Sequence, residues 1–299
     1  MKKVLFMLAV FALPLFFLSS CEKESGSGTM ILSLTDAPVD SSSVTGVFIT
    51  INEIQLHTSD DGWVTMEDFE GPQEFDLLDL TRGESDLLGA FNLEGGNYTQ
   101  IRFMLDAPEL GESKPVNPGC RIDFKDGSSH PLFVPSGNES GFKGVGNFKV
   151  PVNGTVEVTA DFNVRKSVHM TGSASPRYIL RPVIRLVVDN EAGAIRGNVT
   201  NIPEDTGIVV YAYEDGVYQP EEAEEPADTT LSRFPNAVSS DRVDSLGVYH
   251  IAYLATGNYD LVITSLNESV FGEVLGIIED VTVESRKTTH QDIDIEDLE

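Results

Sequence analysis

Apolar residues along this chain recur with a period of two rather than 3.6, which predicts strands on nearly every segment. The run Met30-Ile31-Leu32-Ser33-Leu34 is followed by Val47, Ile49 and Ile51 alternating with Phe48, Thr50 and Asn52, and then by Ile54 and Leu56. Residues 98–105, 145–150, 155–162 and 178–188 read the same way, with clusters of Gly, Asp, Asn and Pro between them. No window carries a long helical stripe; the best helix candidate is 84–91, and 76–80 fits a turn or a strand. A second series follows residue 193, with the run Ile208-Val209-Val210-Tyr211-Ala212-Tyr213 and, at the end, Ile293 and Ile295 alternating with Asp292 and Asp294. Short strands at this spacing predict an all-β protein made of two antiparallel β-sandwich domains.

The start of the chain has a different pattern. Met1-Lys2-Lys3 is basic, residues 4–18 are apolar and interrupted by Pro14, and Leu18-Ser19-Ser20-Cys21 closes the run. The stretch is too short for a comfortable membrane span and has the layout of a signal peptide. Its ending resembles a bacterial lipobox, which implies cleavage before Cys21 and acylation of its thiol, so that several acyl chains anchor the protein to a membrane. The expected organisation is a signal peptide over 1–20, a lipidated polar tether over 21–28, one β-sandwich domain over 29–188 and a second over 189–299, each folding by itself. Glu22 and Glu24 beside the cysteine resemble signals that send lipoproteins of Bacteroidota to the outer cell surface. The expected location is therefore the bacterial cell envelope, at the outer membrane.

Charge narrows the partners. The 299 residues carry 20 Lys and Arg against 48 Asp and Glu, a net charge of −28. Phosphate backbones need a basic face, so no nucleic acid partner is expected; a glycan or an envelope protein remains. With Cys21 acylated, Cys120 is left without a disulfide partner and is expected to be a small buried hydrophobe. The five histidines have no neighbours at metal-ligand spacing. Ser140-Gly141-Phe142-Lys143 matches Ser-x-x-Lys only formally, because it lies in a glycine-rich loop rather than opening a helix. No catalytic motif is found, so no enzyme activity and no cofactor are expected.

One phrase occurs twice. Leu93-Glu94-Gly95-Gly96-Asn97-Tyr98 returns as Leu254-Ala255-Thr256-Gly257-Asn258-Tyr259, each time ahead of an alternating strand. A tyrosine just past such a turn can return its hydroxyl to the main chain, as tyrosine corners do in sandwich folds.

The best ligand or calcium candidates are Asp36 and Asp40, in the loop after the first strand, together with Asp161; the structural alternative, in which such carboxylates cap backbone N–H groups, is the commoner use of acids at strand ends. The lone Trp63, next to Gly62 in a hairpin, could stack a sugar ring or belong to the core. An acidic loop over 214–228 is too charged for a core. Asp228-Thr229-Thr230 and Asp244-Ser245-Leu246 resemble O-glycosylation acceptors of Bacteroidota, which makes Thr229 and Ser245 candidate modification sites.

Several phrases resemble a known family. Leu34-Thr35-Asp36-Ala37-Pro38, Leu77-Leu78-Asp79-Leu80, Gly96-Asn97-Tyr98-Thr99-Gln100-Ile101-Arg102, Asp161-Phe162-Asn163-Val164-Arg165-Lys166-Ser167 and Leu180-Arg181-Pro182-Val183-Ile184-Arg185 are together similar to the bacterial domain of unknown function 4382, over about 29–188. Asn163 stands where that resemblance implies an aspartate. The second half, through Gly197, Asp244, Gly247, Tyr249, Gly257 and Tyr259, resembles carboxypeptidase-regulatory or transthyretin-like domains. The first resemblance implies no mechanism, and the second implies a non-catalytic module; with no catalytic motif found, the expected role of these immunoglobulin-like or transthyretin-like sandwiches is binding, adhesion or scaffolding. The alternative is an envelope hydrolase, or an accessory subunit of an enzyme complex, with a cryptic carboxylate or calcium site.

Overall fold

A computed structural model describes residues 26–37, 43–58, 62–108, 118–135, 141–172, 177–227, 232–267 and 270–298. The first half contributes β1 (Ser27–Ala37), β2 (Val44–Thr58), β3 (Gly62–Thr65), β4 (Gln73–Asp76), β5 (Asp86–Glu94) and β6 (Gly96–Leu105). It continues with β7 (Arg121–Phe124), β8 (Ser129–Phe133), β9 (Phe142–Val150), β10 (Thr155–Asn163), the single-turn helix α1 (Val164–Ser167), β11 (Val168–Thr171), β12 (Arg177–Leu180) and β13 (Ile184–Val188). The second half adds β14 (Ala192–Thr200), β15 (Thr206–Glu214), β16 (Ser239–Arg242), β17 (Val248–Ala255), β18 (Gly257–Asn267), β19 (Val270–Val283), β20 (Thr288–His290) and β21 (Ile293–Asp294). The fold is all-β.

The first thirteen strands form one sheet in the order β11-β12-β8-β7-β2-β6-β9-β13-β10-β1-β5, with β3 and β4 also on β2. The 15-residue β2 serves both limbs of this sheet: its first part pairs β7 and β4, its last part β6 and β3. A bulge between Ile51 and Glu53 lets it turn while Ile49, Ile51, Ile54 and Leu56 all stay buried. The core between the limbs includes Met30, Leu34, Phe91, Phe103, Val158 and Phe162. In the second half, β14 with β17, β20 and β21 packs on the sheet β16-β15-β18-β19, burying Ile195, Ile251, Val210, Leu261 and Ile263 between them. No described strand of one half pairs with a strand of the other.

Pairing is mixed rather than wholly antiparallel. The pairs β1–β10, β13–β9 and β12–β8 are parallel, as are β14–β20 and β14–β21. A period of two is the same in both pairings, so alternation alone cannot tell them apart.

Three local expectations are corrected. Ser27 and Gly28, assigned to the tether, open β1, where Gly28 passes so close to Pro151 that a Cβ would lie 2.1 Å from its carbonyl oxygen. The helix candidate over 84–91 is an edge strand instead. Its buried residues Leu88 and Phe91 are spaced by three because a bulge opposite Leu32 and Ser33 inserts Leu88, and that phase shift imitates a helical period. The single strand expected over 178–188 breaks at Pro182 into β12 and β13, which lie in different limbs of the sheet.

Both tyrosine corners are present. The Tyr98 hydroxyl donates to the Glu94 carbonyl at 2.8 Å, and the Tyr259 hydroxyl donates to the Ala255 carbonyl at 2.9 Å.

Candidate functional site

Two of the carboxylates singled out in the sequence, Asp36 and Asp161, meet where the first sheet faces the second half. Register pairs Thr35 of β1 with Asp161 of β10, so Asp36 and Asp161 sit one step apart on neighbouring strands. Asp36 is 5% exposed; its Oδ1 accepts the Val164 N–H at 2.9 Å, and its Oδ2 has no partner among the described residues. Burial, with Asp161 adding to it, drives the Asp36 pKa well above the usual 3.8. Asp161 is 4% exposed and accepts from Arg185 Nη2 at 2.6 Å. Asn163 caps α1, its Oδ1 accepting the Lys166 N–H at 3.1 Å. An amide caps as well as a carboxylate, so asparagine in place of aspartate leaves this role intact.

Around these residues the halves are joined by cations of the first and oxygens of the second. Arg82 donates from Nη1 to Asp244 Oδ2 at 2.8 Å and from Nη2 to the Val248 carbonyl at 2.7 Å, and its Nε lies 3.1 Å from Asp241 Oδ2. Asp241, 1% exposed, also accepts the His250 N–H at 2.7 Å. Arg165 of α1 donates to the carbonyls of Arg233 and Phe234 at 2.7 and 3.1 Å, and Lys166 Nζ donates to the Ala237 carbonyl at 2.6 Å. Burial, then repulsion from Arg165, lowers the Lys166 pKa to about 8. Tyr253 adds a hydrogen bond to the Gly83 carbonyl at 3.3 Å. Between these contacts lies a cavity of about 10 Å3, lined by Asp36, Asp161, Arg82, Ser240 and His250. It is about the volume that one water requires.

Arg82 links the candidates across this seam: it lines the cavity with Asp36 and Asp161 and pairs with Asp244, the neighbour of Ser245. Asp40, Thr229 and Cys21 lie outside the described residues. Among the described residues no three His, Cys, Asp or Glu side chains gather as a metal site. Ser245 is exposed in the turn between β16 and β17. Asp244 before it accepts the N–H groups of Leu246 and Val248, each at 2.9 Å, so its carboxylate shapes the turn and holds Arg82. Arg82, Arg165, Lys166 and Asp241 were not singled out in the sequence as site residues. Their signal was faint: three cations in a chain with 48 acids, two of them adjacent after a buried strand, and one acid among those 48.

Two other candidates resolve locally. Trp63 is half-buried on β3, with the Arg102 guanidinium 3.9 Å from its ring centroid and His57 edge-on at 5.0 Å. A cation thus covers one face of the ring, which makes it neither core nor a bare stacking platform. Cys120 is fully buried, and burial pushes its thiol up to about 12, so it behaves as a small hydrophobe.

The buried Asp241 makes the seam pH-sensitive. Burial raises its pKa from 3.8 to about 7 against the pull of Arg82. The folded state therefore holds a proton that the unfolded chain has lost between those values, and stability falls as pH rises through that window. Asp36 acts in the same direction. Asp241→Asn should flatten this decline in thermal melts recorded across the window; slopes equal to those of the parent would contradict the assignment.

Comparison with known proteins agrees with the first half of this picture. The profile of the family described as domain of unknown function (DUF4382) matches residues 27–182, from the start of β1 to Pro182. No curated protein matches the chain. Among solved structures, the minor pilin GBS52 of Streptococcus agalactiae is 15% identical over 89% of this chain and 94% of its own, with a TM-score of 0.23. The shaft pilin SpaA of Lactobacillus rhamnosus GG is 8% identical over 90% of this chain and 96% of its own, with a TM-score of 0.22. The Bacillus anthracis TIE protein is 12% identical over 90% of this chain, which spans 34% of that protein, with a TM-score of 0.21. Superpositions this loose carry no argument. The family match, covering more than half of the 299 residues and both strands that carry Asp36 and Asp161, is decisive: this chain belongs to the domain of unknown function (DUF4382) family.

Proposed function

We propose that this protein is a lipid-anchored module of the bacterial cell envelope, acylated at Cys21 and held at the outer membrane, that binds or scaffolds rather than catalyses. In this reading it presents loops to a glycan or an envelope protein, and its second half is a carboxypeptidase-regulatory-like sandwich. The observation that carries the reading is the use made of the candidate carboxylates. Asp161 neutralises Arg185, Asp244 shapes a turn and holds Arg82, and Asp36 caps the start of α1. Groups fixed in this way stabilise a rigid body and are poorly placed to move protons. The exposed Ser245, in its turn, is accessible to a modifying enzyme, and Thr229 is the second acceptor of this reading.

The alternative, an envelope hydrolase or accessory subunit with a calcium or carboxylate site, would draw on Asp36 Oδ2, which lacks a partner among the described residues. Burial favours the protonated form of that carboxyl, which is a poor cation ligand.

Anchoring is tested by metabolic labelling with palmitate. Cys21→Ser should yield an unlabelled, unprocessed precursor, and label retained in this variant would refute the anchor. Binding without turnover is tested by immobilising the body that begins after Cys21 and passing envelope extract over it. A saccharide or protein should be retained and recovered chemically unchanged; recovery of a cleaved product would favour the hydrolase.

A further inference from the structure

The first sheet opens where β13 leaves it. Beside β9, β13 pairs only through Ile184 with Gly144 and Arg185 with Val145, and its ladder with β10 ends at Val158 and Val188. The chain then turns away through Asp189–Glu191 towards β14. Past these points β9 and the start of β10 face each other with no strand between them. The result is an open groove of about 530 Å3, a volume within the range of ordinary ligand sites.

Its lining is unusual for this chain. Asn97 and Thr99 come from β6, Asn147 from β9, Thr155 from β10 and Asn190 from the turn after β13, and all five are exposed. None is taken up by a side-chain hydrogen bond among the described residues. The only charged residues in the lining, Lys149 and Glu191, are opposite in sign, so the groove is neutral on a protein whose net charge is −28. Beneath them Tyr98 and Phe148 stack with centroids 5.5 Å apart and are 7% and 4% exposed. The Tyr98 hydroxyl is held by its corner, so this floor is rigid.

We infer that this groove binds a neutral oligosaccharide. Each carboxamide offers two donors and an acceptor and each threonine one of each kind, which matches a ligand whose hydroxyls both donate and accept. A charged ligand would find no net complementary field. A peptide strand lying in the gap would pair with the edges of β9 and β10, and would not reach Asn97 and Thr99, one strand further away on β6. A ligand lying across the sheet face engages all five. The inference deepens the binding reading above by naming a place and a ligand class, and it rests on that reading.

Isothermal titration calorimetry of the mature protein with maltotetraose, cellotetraose, mannotetraose and chitotetraose, each up to about 10 mM, tests it. At least one should bind saturably, and both Asn97→Ala/Asn147→Ala and the groove-filling Thr155→Trp should weaken it by about tenfold or more. These positions are exposed, and unchanged melting temperatures would confirm that the variants fold. Lack of binding by all four sugars, binding that both variants leave intact, or saturable binding of an uncharged Ser/Thr-rich heptapeptide instead would each overturn the assignment. Failure here removes the ligand class alone, whereas cleavage of a bound tetrasaccharide would refute the non-catalytic reading itself.

Discussion

Three cations of the first half, held by oxygens of the second, are the contacts on which the arrangement of this molecule depends. Arg82, Arg165 and Lys166 reach carbonyls of Arg233, Phe234, Ala237 and Val248 and the carboxylates of Asp241 and Asp244. Hydrogen bonds from charged donors contribute about 1.5–3 kcal/mol each, and removing one partner of a buried pair costs about 3–5 kcal/mol because a charge is left stranded. In a chain with 20 bases and 48 acids, committing three bases to one seam, with Arg165 buried and Arg82 and Lys166 half-buried, leaves the outer surface more acidic still. The same contacts order what lies on either side. Arg165 and Lys166 hold the segment around Phe234, whose ring stacks on Tyr211 at 4.4 Å and covers the outer face of β15 and β18. That cover explains why β15 is buried without alternation.

Within the acidic loop, charge and core are combined. Glu222 accepts from the Tyr213 hydroxyl at 3.0 Å and from the Asn236 main-chain and side-chain nitrogens at 3.1 and 2.9 Å. A segment too charged to be core itself thus roofs one, with its acid serving as an internal strut.

Much of this was legible from the pattern of apolar positions. Strands with one buried face and clean alternation, such as β6 and β9, were placed within a few residues, and the repeated Gly-Asn-Tyr phrase announced both corners. The failures share one cause, namely that long-range pairing changes what a local pattern means. The bulge at Leu88 turned a strand into an apparent helix, although the jump from Ile51 to Ile54 in β2 was a similar signal in plain view. Asp36 and Asp161 were found because acids next to strand ends stand out, but their purpose depends on α1 and Arg185, which come from 128 and 24 residues away in the chain. The cations of the seam were harder to see, since nothing local distinguishes Arg82 from a solvated loop arginine. Only the approach of a second half gives it a role.

The claim that these cations lock the halves into one body is tested most directly by differential scanning calorimetry of the protein. The account predicts a single coupled transition that separates into two when Arg82 and Arg165 are both replaced by methionine, which keeps the aliphatic bulk, removes the charge and strands Asp241 without its partner. Two independent transitions in the parent protein, unmoved by that double replacement, would contradict it.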